Sequence, residues 1–139
     1  MYLLDTNVLS EFQRSRPNEG VLSWVESVDP VKLNISVLTV LEIEVGILRL
    51  SRRDEVQAMR LRNWLDEAVL DGFEGRTLPI TLEISRRAAQ THVPNPKPAI
   101  DALLGATASV HGLTVVTRNV KDFAELGVPV FNPWRAPER

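Results

Sequence analysis

Short apolar runs alternate along this chain with longer stretches of helical periodicity, the signature of a βαβ-type α/β sheet. The strand candidates are Tyr2–Leu4, Lys32–Ile35, Thr77–Ile80, Thr114–Thr117 and Val128–Val130. Between them Val21–Val28, Val37–Leu50, Asp54–Val69, Thr81–Gln90 and Ala99–Val110 read as helices. The third helix carries Leu61, Trp64, Leu65, Ala68 and Val69 on one apolar face. Thr81 is placed to cap the fourth. Gly112, after His111, closes the fifth with the usual C-terminal signals. The run His92-Val93-Pro94-Asn95-Pro96-Lys97-Pro98 is not helical, because its prolines lack donors and bias the preceding residues to extended geometry. It is a stiff loop that delivers the chain to Asp101.

A chain of 139 residues suits one domain able to bury most of its apolar surface. With 44% hydrophobic and 24% charged residues, nothing is polar or repetitive enough for intrinsic disorder. No apolar run is long enough to span a bilayer and no signal peptide is evident, so a cytoplasmic protein is expected. The absence of cysteine removes disulfides, thiolate chemistry and cysteine zinc sites. A formal net charge of −2 argues against a long nucleic-acid footprint, so any such contact must be short, local or metal-mediated. No GxGxxG, P-loop or GxSxG element is present, which argues against dinucleotide, NTP and serine-hydrolase chemistry.

Acids recur at comparable places in this pattern. Asp5 follows the first strand, where an open α/β sheet presents its ligand crevice. Glu42 lies in the first turns of the helix after the second strand, and Asp101 in the first turn of the helix before the fourth. Asp122 comes just after the fourth strand, in Thr117-Arg118-Asn119-Val120-Lys121-Asp122-Phe123. In a parallel sheet all four point to one edge. Like charges at close range raise each other's pKa, and a hard divalent cation removes that conflict. All-oxygen coordination completed by water suits Mg²⁺ or Mn²⁺, which acidifies a bound water and neutralises charge on a phosphate oxygen.

Each acid also has a purely structural reading. Asp5 can cap the helix that starts at Thr6, Thr39-Val40-Leu41-Glu42 fits a capping box, Asp101 complements a helix dipole, and Asp122-Phe123-Ala124-Glu125 fits a helix N-terminus. Four at corresponding edges are harder to explain in this way than one. Glu44, two positions beyond Glu42, should point away from it as a solvated or interface charge. Thr6 and Asn7 either hold Asp5 or serve as ordinary turn residues. Ser36 and Thr39 either cap the helix or face the pocket. Arg118 either approaches a phosphate or pairs with an acid. His92 and His111 receive no catalytic role.

Taken together, four segments resemble the PIN-domain nucleases, and within them the VapC-type toxins of bacterial toxin–antitoxin pairs. They are Leu3-Leu4-Asp5-Thr6-Asn7-Val8-Leu9-Ser10-Glu11, Ile35-Ser36-Val37-Leu38-Thr39-Val40-Leu41-Glu42, Ile100-Asp101-Ala102 and Val116-Thr117-Arg118-Asn119-Val120-Lys121-Asp122-Phe123. Their order and spacing cover almost the whole chain, and the closing Val130-Phe131-Asn132-Pro133-Trp134 is similar to the FitB branch. The resemblance implies a single PIN domain over residues 1–139, a three-layer α/β/α fold with a mainly parallel central sheet. It further implies a Mg²⁺- or Mn²⁺-dependent endoribonuclease, a toxin homodimer, inhibition by a cognate antitoxin, and operator DNA bound only through that antitoxin. By motif position Asp5, Glu42 and Asp101 are expected as catalytic metal-site acids. Thr6, Asn7, Thr117 and Arg118 are expected as supporting residues. For the fourth position, FitB-like toxins can carry Asp where this chain has Asn119, whereas other VapC-type proteins place the acid at Asp122, and both residues stay candidates.

Two other classes compete. A non-catalytic PIN-like interaction module would bind only a partner protein, and the intact Asp5, Glu42 and Asp101 disfavour it. A small-molecule phosphatase of the haloacid-dehalogenase type also ends its first strand in Asp, but it usually wants a second Asp two residues on, where this chain has Asn7.

Overall fold

A computed structural model describes residues 1–135. In chain order the elements are β1 (Tyr2–Leu4), α1 (Thr6–Glu11), α2 (Glu19–Ser27), β2 (Leu33–Ser36), α3 (Val37–Ser51), α4 (Glu55–Trp64), β3 (Thr77–Leu78), α5 (Leu82–Thr91), α6 (Ala99–His111), β4 (Thr114–Val116), α7 (Val120–Ala124) and β5 (Val130–Phe131). The five strands form one all-parallel sheet in the order β3-β2-β1-β4-β5. The chain steps outward from β1 to β3, then returns to the other side of β1 to lay down β4 and β5. That reversal makes a switch point between β1 and β4. In open parallel sheets the ligand crevice lies at such a point, beyond the carboxyl ends of the strands.

Strand residues alternate between the two faces of the sheet. Leu4, Ile35 and Val116 face Val8, Val21, Ile43, Ile47 and Leu65 of the helical layer built from α1 to α4. Leu3 and Val115 face Leu104, Ala108 and Phe123 of α6 and α7. Both faces are therefore covered, which is why the strands read as near-continuous apolar runs rather than as alternating ones. A third cluster, Ile84, Ala88, Ala102 and Ala106, seals α5 onto α6. Among the described residues no helix is long and apolar enough to cross a membrane.

Several local expectations need correction. Lys32 belongs to a 3-10 turn, Pro30–Lys32, and β2 begins at Leu33. The last strand is Val130–Phe131, later than the expected 128–130, while the Pro129 carbonyl still accepts from the Val115 N–H. The segment expected as one helix over Asp54–Val69 is instead capped by Asp54, regular to Trp64, and widened into a π turn over Leu65–Leu70. A π turn holds more residues per turn and rotates the apolar face. Ala68 is consequently exposed, whereas Leu65 and Val69 are buried. Finally, α3 is capped by Ser36, whose Oγ accepts from the Leu38 N–H at 3.0 Å. No capping box forms around Thr39, which is fully buried inside the helix.

Candidate active site

Asp5 leaves β1 at the switch point with extended backbone, and its carboxylate is used twice. Oδ1 accepts the Thr6 N–H at 2.8 Å and caps α1. Oδ2 accepts the Thr117 hydroxyl at 2.8 Å and the Asn7 Nδ2 at 3.4 Å. Parallel pairing of Leu4 with Val116, continued by the Asp5 N–H donating to the Val116 carbonyl, sets Asp5 and Thr117 side by side although they lie 112 positions apart. The Thr117 Oγ in turn accepts from the Asn119 N–H at 3.0 Å and from the Asn7 Nδ2 at 3.3 Å. One buried hydroxyl thus ties the first and fourth strand ends together. Across the crevice, Thr6 donates its hydroxyl to the Glu42 Oε1 at 2.6 Å, joining α1 to α3.

The electrostatics show which acids face one another. Burial pushes the Asp5 carboxyl above its ordinary value; hydrogen bonds from Thr117 and Thr6 pull it back down, and the charges of Glu42 and Asp101 push it up again. Asp101, in the first turn of α6, is raised by burial and then by the charges of Asp122 and Glu42. Asp5, Glu42, Asp101 and Asp122 therefore lie close enough for their charges to act on one another at the ends of β1 and β4, with Asp5 only 8% exposed. Asp122 sits on the Asp101 side. It lies in the first turn of α7 but does not cap it; Asn119 holds the N-cap position and makes no side-chain cap bond. Asp122 thus stands at a helix N-terminus, as its structural reading has it, but three residues inside the cap. Upward-shifted carboxyls in a cleft are a mark of functional sites, because stability alone would not select them.

Glu44 does point elsewhere, as expected, and forms an ion pair with Arg62 that fastens α3 to α4. Arg118 has no carboxylate partner among the described residues; its guanidinium lies 5.6 Å from the centre of the Trp134 ring. His92 uses Nδ1 to accept the Lys97 N–H, and His111 ends α6 before Gly112, whose φ of 66° makes the left-handed cap. The donor set of the crevice is hard oxygen. Among the described residues no three His, Cys, Asp or Glu side chains form a ready-made metal cage. Hard oxygen donors of this kind suit a cation such as Mg²⁺, which completes its coordination with water.

One acid that local reading passes over is Glu11, at the end of α1. It is 4% exposed, lies 3.6 Å from Arg14, and accepts from the Trp134 Nε1 at 3.4 Å. Its burial depends on the C-terminal segment folding back over α1 and α2. No signal within a few residues of Glu11 could have announced it.

A parallel sheet with helices on both faces and an acid crevice at its switch point define an α/β protein of the PIN-domain class, and the sequence pattern of the PIN domain matches residues 2–129. The chain is 37% identical over 140 residues to Toxin FitB of Neisseria gonorrhoeae, covering 96% of this chain and 99% of that one. It is 33% identical to VapC ribonuclease Y4jK of Sinorhizobium fredii, over 96% and 98% of the two chains. Its fold superposes on the structure of FitAB bound to an IR36 DNA fragment with a TM-score of 0.91 at 33% identity, covering 100% and 99%. The chain belongs to the PIN-domain family, in the branch of toxin–antitoxin toxins that holds FitB and the VapC ribonucleases. The haloacid-dehalogenase alternative falls with that assignment.

Proposed function

We propose that this protein is the toxin of a toxin–antitoxin pair and, acting as a single PIN domain, a Mg²⁺- or Mn²⁺-dependent endoribonuclease that works from the crevice of Asp5, Glu42, Asp101 and Asp122. The observation that carries this reading is the shared environment of Asp5 and Asp101, both pushed up by burial and by neighbouring acids at the switch point. A scaffold that merely bound a partner protein would have no use for carboxyls kept under mutual repulsion. When bound there, the cation supplies an acidified water for attack on the phosphodiester and neutralises charge at the phosphate. Asp5, Glu42 and Asp101 are the acids that would hold it. Thr117 and Asn7 orient Asp5, and Thr6 orients Glu42. Asp122 is favoured over Asn119 for the fourth position, because it brings a charge that acts on Asp101.

The relatives support the biological frame. FitB is named a toxin, Y4jK a ribonuclease, and FitAB is seen on DNA. In this reading a cognate antitoxin restrains the protein and brings it to operator DNA, and the toxin itself is a cytoplasmic homodimer. The test is cleavage of RNA by purified protein with Mg²⁺, with Mn²⁺ and with EDTA, alongside Asp5→Asn. The expected result is divalent-dependent cleavage that the substitution abolishes. Wild-type rates in Asp5→Asn, or cleavage indifferent to EDTA, would overturn the assignment.

A further inference from the structure

Beside the crevice, between α7 and the segment that follows β5, runs a groove of about 780 Å³. Arg118, Lys121 and Arg135 line it together with Asn119, Asn132 and a single acid, Asp122. The groove is therefore locally basic in a chain whose net charge is −2. All three cations are exposed, and none has a carboxylate partner among the described residues. Asp122, which lines the groove, is also one of the two acids whose charges act on Asp101, so the groove runs beside the acids.

The far wall is built firmly. The Pro133 carbonyl lies so close over Gly20 that a Cβ there would sit 2.8 Å from its oxygen. Asn132 Oδ1 accepts the Trp134 N–H at 2.9 Å, and the Trp134 Nε1 reaches the buried Glu11. The fixed indole then supports the Arg118 guanidinium 5.6 Å from its ring centre. An arginine held by an aromatic ring keeps its full charge and its donors, whereas one held by a carboxylate is neutralised. A short row of cations with no carboxylate partner among the described residues, and with planar amides beside them, suits the phosphates of a single strand. It also satisfies the demand of the negative net charge that nucleic-acid contact be local.

We propose that this groove carries the RNA strand past the crevice, with Arg118, Lys121 and Arg135 contacting phosphates that flank the scissile one, and with Trp134 as the positioning residue for Arg118. The assignment rests on the nuclease reading for its choice of RNA.

The test is fluorescence anisotropy of a labelled single-stranded oligoribonucleotide titrated with the protein in EDTA, with the RNA checked for intactness, between about 50 and 200 mM salt. Each phosphate contact on a single strand contributes a slope of about 0.7 in log affinity against log salt. The triple variant R118Q/K121Q/R135Q should thus lose a slope of about 2, and its affinity should fall about 20-fold less than that of the wild type across this range. An unchanged slope and affinity in the triple variant overturns the groove. Equal binding of a polyglutamate peptide of matched charge, with the same dependence on the three cations, overturns RNA as the occupant. For Trp134, R118Q should cost about 0.7 in slope in the wild-type background and little in W134A, while W134F, which keeps a ring, should behave nearly as the wild type. W134L replaces W134A should the latter fail to fold. An undiminished R118Q effect in the Trp134 variant overturns the positioning role. Parallel cleavage assays separate the two readings. RNA binding with the expected slope but no cleavage in Mg²⁺ or Mn²⁺ sinks the nuclease and leaves the groove standing; cleavage with an unchanged slope sinks the groove alone.

Discussion

Thr117→Val removes one oxygen from the junction of β1 and β4, and the structure lets its cost be worked out. Thr117 is fully buried and its hydroxyl donates to the Asp5 carboxylate at 2.8 Å while accepting from the Asn119 N–H and the Asn7 amide. A hydrogen bond to a charged group contributes about 1.5–3 kcal/mol. Asn119 and Asn7 are less enclosed than Thr117, so water can take over part of what they lose. The expected destabilisation is about 2–3 kcal/mol, a substantial fraction of the roughly 5–15 kcal/mol that holds a domain folded. With a urea m-value of about 2 kcal/mol/M, the unfolding midpoint should fall by about 1 M with no change in m.

The pH dependence follows from the sign of the shift. The folded-state pKa of Asp5 already lies above its unfolded value, so the stability linked to its protonation is present at low pH and lost as pH rises through the folded pKa. The Thr117 hydroxyl favours the ionised form, and removing it raises that pKa further. The deficit of Thr117→Val should therefore be largest at neutral pH and narrow as pH falls through the carboxylate range. Urea titrations of the two proteins without metal, at several pH values, measure this directly. A loss below about 0.5 kcal/mol, or a loss that does not change with pH, would refute the claim that this hydroxyl organises an ionised Asp5.

Asp101→Asn should abolish RNA cleavage yet raise the metal-free melting temperature at pH 7, since it deletes a charge repelled by Glu42 and Asp122; the gain should vanish as pH falls and wild-type Asp101 protonates, which calorimetry at two pH values checks. Asp122→Ala should weaken metal binding and cleavage far more than Asn119→Ala; isothermal titration with Mn²⁺ orders the two, and the reverse order would move the fourth position to Asn119. Gly20→Ala should destabilise by about 1–3 kcal/mol through its clash with the Pro133 carbonyl, read as a fall in urea midpoint, and a neutral effect would mean that the C-terminal segment is not tightly seated.

Much of the fold was legible because its signals are local. Thr81, Asp5 and Gly112 mark helix ends through bonds or dihedrals spanning a few residues, and each occupies its expected cap. The all-parallel sheet follows from apolar runs separated by helices, a pattern that burial on both faces imposes. The placement of acids after β1, early in α3 and early in α6 was visible for the same reason. Local signals failed where geometry changed without a marker residue, as in the π turn over Leu65–Leu70, and at Thr39, whose capping box did not form because Ser36 caps α3, one of the two readings it had. What tertiary structure alone decided is adjacency. The β3-β2-β1-β4-β5 order brings Asp5 beside Thr117, sets Asp122 against Asp101, and folds Trp134 onto Glu11 and Arg118. These pairs are joined by parallel strand pairing and crossover helices. No residue records in its own neighbourhood which distant strand will lie beside it.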